Sequence, residues 1–461
     1  YHICDNTEYP SLIRGGHNVM QVNFSTEVVT APREKSDLLI AFDQLTVDLH
    51  GDELHSGSGV IYDIDANLDL SKIKKGVSRY GIPLKKLALE AGDKNIFVNI
   101  VALSAAIGLL GGNLETFKKL IEEEYGDKGE EIVNSDKKAA DLGYSYAVEN
   151  YKDDLRDYMK VIDSFNSPIS YMVLSGNEAA ALGAISAGMQ FAAIYPMSPI
   201  NNVLHVLAAN QEKFGFVYKQ PEDEISAINM AIGASHAGVR SMTATSGGGF
   251  CLMTEAYGLA GITEVPLVIL DGMRGGPATG LPTWSGQGDL QMALRAHQDD
   301  FPRIVLAPGD VEETYYMVKE AFHIADKYQT TVMVLMDKNL CENDRTMAFP
   351  DLSKIKIDRG KFTKEKIDNY FRYKYEDDGV SLRSIPGSGN FFIANSDEHD
   401  ELGYSTEEIE GRNKMMDKRM QKLITCAKED MKDPVIYGPE NADITIVSWG
   451  SNKGSIIEAL K

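Results

Sequence analysis

Short apolar, β-branched runs alternate with Ala-rich or amphipathic stretches of ten or more residues along most of the chain, the pattern of strands joined by helices. In the N-terminal part the strand-like runs are Val19–Phe24, Leu38–Ala41, Gly59–Tyr62 and Asn95–Val98, and the helical ones Ile100–Leu110 and Leu114–Tyr125. Ser135–Phe165 is polar and helix-prone, without strand signal, and is predicted to be a linker with a helix. From about Ser167 to Asp337 the Ala-rich helix Ala179–Gly188 leads to strand candidates Phe191–Ile194, Ser241–Thr245, Leu267–Asp271, Arg303–Ala307 and Thr331–Met336. Strands separated by helices of that length predict parallel pairing and a doubly wound sheet. Phe349–Asp433 is dense in charge, Gly and Tyr until a helix at Arg412–Lys428; Asp443–Ser451 then reads as a strand leading into a helix at Gly454–Leu460. The expected organisation is multi-domain α/β: residues 1–140 an α/β domain, 141–166 a linker, 167–345 the doubly wound domain, 346–440 an irregular connecting segment, and 441–461 the start of a further α/β domain.

Composition narrows the function. With 461 residues, 43% hydrophobic, the chain has enough apolar material for several cores. A formal charge of −22 argues against a nucleic-acid binder, while leaving room for anionic ligands held by backbone amides and a few cations. No run is long and apolar enough for a membrane span, and Tyr1-His2-Ile3-Cys4-Asp5 carries no signal-peptide pattern, so a cytoplasmic protein is expected. The missing initiator methionine and the end at Ala459-Leu460-Lys461 read as a chain trimmed at both ends. Cys4, Cys251, Cys341 and Cys426 lack metal-ligand spacing, and the nine histidines show no paired motif, so no metal site is assigned.

Four motifs carry candidate chemistry. Tyr195-Pro196-Met197-Ser198-Pro199 follows an apolar run; its two prolines fix a rigid loop that presents Ser198 at a strand's carboxyl end, where open α/β sheets bind ligands. Glu222-Asp223-Glu224 enters the helix Ser226–Ala237, either as an N-terminal cap or with one carboxylate partly buried and bonded to a heterocyclic nitrogen. Thr245-Ser246-Gly247-Gly248-Gly249-Phe250 is a strand-to-helix turn whose glycines admit close ligand approach, ahead of a helix expected from about Leu252. Asp271-Gly272-Met273-Arg274-Gly275-Gly276-Pro277, continuing to Thr283, is a tight loop supplying one cation for a carboxylate or phosphate. Tyr9–His17 is a similar cluster around Arg14, suited to an anion or to packing.

Together these stretches resemble the 2-oxoacid:ferredoxin oxidoreductases, specifically the large subunit that fuses a gamma-type to an alpha-type domain. The resemblance rests on YPSLIRGGH (Tyr9–His17), SGNEAAALGA (Ser175–Ala184), YPMSP (Tyr195–Pro199, usually YPITP), Glu222–Val239, TATSGGGF (Thr243–Phe250) and RGGPATGLPT (Arg274–Thr283). GVSLRSIPG (Gly379–Gly387) and EHDE (Glu398–Glu401) complete it, all in family order.

The resemblance implies a pyrimidine-type thiamine-diphosphate-binding domain, a Rossmann-like gamma domain and the start of a transketolase C-terminal-like domain. It implies oxidative decarboxylation of a 2-oxoacid with coenzyme A, giving acyl-CoA, carbon dioxide and reduced ferredoxin. It further implies a separate beta subunit that shares the thiamine diphosphate, carries Mg²⁺ and a [4Fe–4S] cluster, and assembles as a dimer of heterodimers. By position, Glu222 is the carboxylate for the pyrimidine nitrogen, ahead of Asp223 and Glu224, and Tyr195, Pro196, Gly247 and Gly248 line the cofactor. Ser198, Arg274, Thr283 and Arg14 face substrate or coenzyme A. Two departures bear on substrate: Val98 and Trp284 stand where relatives often carry cations. Losing charge-assisted bonds worth roughly 1.5–3 kcal/mol each argues against 2-oxoglutarate with its distal carboxylate. The alternatives are an aromatic, indolepyruvate-like 2-oxoacid as substrate, or a non-catalytic assembly subunit that has kept the fold.

Overall fold

The computed structural model describes residues 1–10, 15–92, 95–156, 169–439 and 441–461. It forms two compact units, one of Tyr1–Pro32 with Ile169–Lys461 and one of Arg33–Pro168.

In the larger unit six strands pair in parallel in the spatial order Arg303–Leu306, Thr331–Asp337, Leu267–Gly275, Ser241–Thr245, Phe191–Ala193 and Val217–Lys219. Side chains alternate between two cores. Val268, Leu270, Val332, Val334 and Met336 pack with the helices Gly176–Ser186, Asn201–Phe214 and Val311–Tyr328. Leu267, Ile269, Met333 and Leu335 pack with Glu224–His236 and Gly247–Ile262 on the other face. Burial on both faces explains why these strands read as unbroken apolar runs. The sequence-based expectation of a doubly wound sheet agrees with this arrangement.

The order doubles back at one place. Phe191–Ala193 precedes the other strands of this sheet in the chain, yet it lies between the second, Val217–Lys219, and the third, Ser241–Thr245. Its two neighbours are reached over opposite faces, which opens a crevice outside the carboxyl ends of Phe191–Ala193 and Ser241–Thr245.

A second sheet of this unit is antiparallel, in the order Val19–Ser25, His2–Glu8, Asp344–Ala348, Tyr171–Ser175. Residues 1–32 therefore belong by hydrogen bonding with 169–461, whereas the sequence grouped them with the α/β stretch that follows. His2–Glu8 is too polar to announce itself as a strand, and its partner Asp344–Ala348 lies more than 300 positions away in the chain.

The smaller unit has three parallel strands, Ser36–Ala41, Leu54–Asp63 and Ser78–Ile82, with helices that include Leu84–Gly92, Val98–Leu109, Leu114–Tyr125 and Glu130–Asn150. The strand expected at Asn95–Val98 is instead a 3₁₀ turn, Asn95–Phe97, opening the helix Val98–Leu109. Val101, Ala102, Ala105, Ala106 and Leu109 are buried at helical spacing, which the all-apolar composition of the run concealed. The stretch read as a linker from residue 141 begins inside the helix Glu130–Asn150, whose Ala139, Ala140 and Ala147 are buried. A Cβ at Gly143 would stand 2.2 Å from the Val101 carbonyl oxygen, so glycine sets the close approach of these two helices.

Residues 349–408 contain one 3₁₀ turn, Leu352–Lys354, and otherwise no helix or strand before the helix Ile409–Glu429. Buried ions anchor this segment. Asp326 accepts from Arg240 Nε (2.7 Å), Arg359 Nε (2.6 Å) and Arg383 Nη2 (3.1 Å). Glu264 pairs with Lys418 (2.6 Å) and Lys422, all three fully buried or nearly so. Burial raises the Glu264 carboxyl, but Lys418, Lys422 and Arg372 outweigh it and hold the group well below the carboxylate range. The strand expected at Asp443–Ser451 does not form. A strand needs a hydrogen-bonded neighbour, and here Ile444 and Val447 are exposed, although a helix, Asn452–Ala459, follows close to the expected place. Among the described residues no helix is long and apolar enough to cross a membrane.

Glu264→Gln leaves two buried ammonium groups without their anion, and is expected to lower unfolding stability by about 3–5 kcal/mol, measured by chemical denaturation. A second expectation concerns pH. Burial, then the Asp5 and Glu178 carboxylates, raise Asp344 to about 6. A carboxyl raised above its unfolded value near 3.9 contributes stability that is full below that value and lost as pH rises through about 6. Asp344→Asn should therefore raise the thermal midpoint at pH 8, and the gain should vanish at pH 4.

Candidate active site

The crevice is walled first by the turn after Phe191–Ala193. Arg274, near the end of the Leu267–Gly275 strand, donates from Nη1 to the Ser198 carbonyl oxygen at 2.8 Å. Asn177, in the first turn of the Gly176–Ser186 helix, donates to the Pro199 carbonyl oxygen at 2.8 Å. The Ser198–Pro199 peptide is cis. Pro199 also lies against Gly272, where an added Cβ would meet its ring at 3.2 Å. Tyr195, Pro196 and Ser198 are half-buried along the turn. Of the residues singled out in the sequence, Ser198 and Arg274 are thus brought together directly.

The second wall is acidic. Asp223 caps the helix Glu224–His236, accepting from Ser226 N at 2.7 Å. Glu222, the carboxylate favoured in the sequence, is exposed and accepts from the Ser226 hydroxyl at 2.7 Å. Glu224 turns the other way: it is 3% exposed, and its Oε1 has no hydrogen-bond partner. The signal that distinguishes them is helical register. Buried Ala227, Ile228, Ala231, Ile232 and Ser235 form one stripe, and Glu224 extends it by one turn, whereas Glu222 precedes the helix.

Glu224 meets the third wall, the helix Gly247–Ile262, which begins about five residues before the Leu252 start expected from the sequence. Gly247, Gly248 and Gly249 are therefore its first turn, with the amides of a helix N-terminus. A Cβ at Gly249 would stand 2.1 Å from Thr245 Oγ1 and 2.7 Å from Glu224 Oε1. Only glycine lets Thr245 and Glu224 pack this closely against the helix start, and the Glu224 oxygen there lacks a partner. Ser246, at the helix N-cap, also has a buried hydroxyl without a partner. Buried polar atoms are nearly always bonded, so unpaired ones gathered at a sheet's switch point mark a ligand site.

Asp271 adds a buried carboxyl group to the neighbouring strand. It is fully buried, and neither oxygen is bonded. Burial and the Asp289 carboxylate push it well above the carboxylate range. Asp289 lies 2.6 Å from the Cβ position of Gly247; burial raises it too, against the pull of Arg274. Thr283 lies on the Leu281–Ser285 strand, which pairs with the strand of Arg274, and donates to the Pro10 carbonyl oxygen at 3.3 Å. Trp284, next to it, is 49% exposed. Val98 begins a helix of the smaller unit. Arg14 lies outside the described residues. All four cysteines are free, and among the described residues no group of His, Cys, Asp and Glu is placed to hold a metal ion.

Comparison with known proteins gives a consistent result. The family model described as pyruvate flavodoxin/ferredoxin oxidoreductase, thiamine diphosphate-binding, matches residues 182–418, and that of pyruvate ferredoxin/flavodoxin oxidoreductase matches residues 1–146. The 2-oxoacid:ferredoxin oxidoreductase subunit alpha of a Sulfolobus species is 33% identical over all of this chain and 80% of its own length. The 2-oxoglutarate synthase subunit KorA of Archaeoglobus fulgidus is 48% identical over 40% of this chain and 53% of its own. Among solved structures, the 2-oxoglutarate:ferredoxin oxidoreductase from Magnetococcus marinus, with 2-oxoglutarate, coenzyme A and succinyl-CoA bound, superposes with a TM-score of 0.89. It is 32% identical and covers 99% of this chain and 79% of that one.

The crowded and open glycines of the third wall make a paired test. Gly249→Ala drives a methyl group into Thr245 and Glu224 and is expected to cost about 1–3 kcal/mol through overpacking, exceeding the helix-propensity gain. At Gly248 the nearest atom to an added Cβ is the Ala278 carbonyl oxygen at 3.9 Å. Gly248→Ala should therefore hold or raise the thermal midpoint while Gly249→Ala lowers it.

Proposed function

This chain belongs to the 2-oxoacid:ferredoxin oxidoreductase family as an alpha-type subunit, and from that premise we propose that its crevice takes the aminopyrimidine end of thiamine diphosphate. The reaction is the coenzyme A-dependent oxidative decarboxylation of a 2-oxoacid, with electrons passed to ferredoxin. The observation that carries this reading is Glu224: a buried carboxylate oxygen without a partner, packed against the glycine-led start of the Gly247–Ile262 helix at the sheet's switch point. A flat heterocycle with a ring nitrogen fits that donor set, and thiamine diphosphate, when bound, supplies the electron sink for loss of carbon dioxide.

The residues of this chain then divide the work. Glu224 Oε1 holds a proton against the ring nitrogen, and burial keeps water from competing for it. Tyr195, Pro196, Gly247 and Gly248 shape the walls. The Ser198 hydroxyl orients the substrate, and Arg274, already tied to the Ser198 carbonyl oxygen, offers its remaining N–H groups to the carboxylate of substrate or to coenzyme A. Thr283 and Arg14 are further candidates for that anionic end. Glu222 takes no part, because solvent and Ser226 satisfy it.

The diphosphate site, Mg²⁺ and the [4Fe–4S] cluster are assigned to a beta subunit, in a cytoplasmic dimer of heterodimers. Relatives named for 2-oxoglutarate make this acid the first substrate candidate. The exposed aromatic Trp284, on the strand that pairs with Arg274, favours testing an aromatic 2-oxoacid second.

In the complex with its beta subunit, Glu224→Gln is expected to lower oxoacid-dependent viologen reduction by about 100-fold or more with assembly intact. Glu222→Gln should leave turnover within a factor of about two, as expected of an exposed surface change. Equal rates for Glu224→Gln and wild type would overturn the assignment and favour an assembly role. Pyruvate, 2-oxoglutarate and indolepyruvate, compared by kcat/KM, separate the substrate readings.

A further inference from the structure

The opposite, amino-terminal edge of the parallel sheet holds a cleft of about 420 Å³ in which Gln190, Phe216 and Arg240 each directly precede a strand. Such a volume lies within the range of small-molecule pockets. Arg240 and Arg359 form its charged part; Met189, Phe214, Phe216 and Ile357 form apolar walls.

The charge here is unbalanced. Three guanidinium groups, from Arg240, Arg359 and Arg383, converge on one carboxylate, Asp326. The nearby Asp358 does not restore the balance: its Oδ1 accepts from Gly360 N at 2.8 Å, and the residue is exposed. Burial pulls Arg383 down to about 10; Asp326 opposes this, while Arg372 and Arg359 add to it. Carbonyl oxygens of Ala187, Asp358 and Gly238 accept some of the spare N–H groups. Arg359 uses Nε and Nη2, and its Nη1 makes no hydrogen bond among the described residues. Phe214, which lines the cleft and is about half exposed, has the Lys213 ammonium 5.3 Å from its ring centroid.

We propose that this cleft is a second ligand site, separate from the crevice at the carboxyl ends, for a monocarboxylate with an apolar body. The carboxylate would take the free Nη1 of Arg359, neutralising part of the surplus charge, while the body lies between Phe214, Phe216 and Ile357. A carboxylate suits the site better than a bare polyanion, because few N–H groups are unpaired and most of the wall is apolar.

The test is calorimetric titration of the assembled complex with octanoate, which has no 2-oxo group, and in parallel with inorganic phosphate. Saturable binding of octanoate at one site per chain is expected, with phosphate much weaker. Phe214→Glu places a like charge at an exposed lip and leaves the ion cluster intact, so it should keep the thermal midpoint. It should weaken octanoate by about tenfold or more; Arg359→Met, which removes the charge-assisted bond, should do the same. Arg274→Ala, at the other end of the sheet, should leave octanoate binding unchanged. No saturable binding at millimolar octanoate, loss of binding in Arg274→Ala, or equal binding of phosphate would each overturn the proposal. Because the readout is binding rather than turnover, it stands or falls independently of the thiamine reading.

Discussion

One carboxylate held by three guanidiniums, Asp326 with Arg240, Arg359 and Arg383, lets a long irregular segment belong to a folded core. Residues 349–408 have almost no ladder hydrogen bonds of their own, so side-chain ions must fix them to the sheet. A second anchor works beside it. Arg372 donates to the Glu264 carbonyl oxygen (2.8 Å) and to Gln329 Oε1 (2.9 Å), and Lys422 donates to the Gln329 carbonyl oxygen (3.0 Å). Glu264 and Gln329 both adopt left-handed backbone just beyond a helix end, with φ of 51° and 49°. Glycine is the usual residue there. At these two positions the side chain is needed for the network, and the network offsets a backbone cost of about 1 kcal/mol or more.

The sheet so anchored presents different chemistry at its two ends. At the carboxyl ends the chain reverses its winding direction, and three short segments deliver polar groups to one crevice. These are the turn ending in Ser198 and Pro199, the first residue of the Glu224–His236 helix, and the glycine-led start of the Gly247–Ile262 helix. The positions of Glu224 and Gly249 depend on each other, since any side chain at 249 would collide with Thr245 and with the carboxylate. At the amino ends, the charge that secures the irregular segment exceeds what Asp326 balances, and the excess faces a cleft with apolar walls.

Much of the catalytic unit was legible in the sequence. The strands at Leu267–Gly275 and Thr331–Asp337 contain apolar runs buried on both faces, so hydrophobicity alone marks them. Prolines and glycines located the loops at their ends, because few other residues permit such turns. Motif position favoured Glu222, whereas burial singles out Glu224. That distinction depends on helical register relative to the buried stripe, and register becomes decisive only once the N-cap is known to be Asp223.

The sequence by itself determined the fold class, the parallel winding and the family, because these follow from local periodicity and from short motifs in a specific order. Tertiary structure decided the rest. It placed the polar strand His2–Glu8 against Asp344–Ala348, left Asp443–Ser451 without a strand neighbour, and turned Glu224 inward while Glu222 met solvent. Each outcome depends on contacts between residues distant in the chain or on a helix's rotation against its neighbours, which local pattern does not encode.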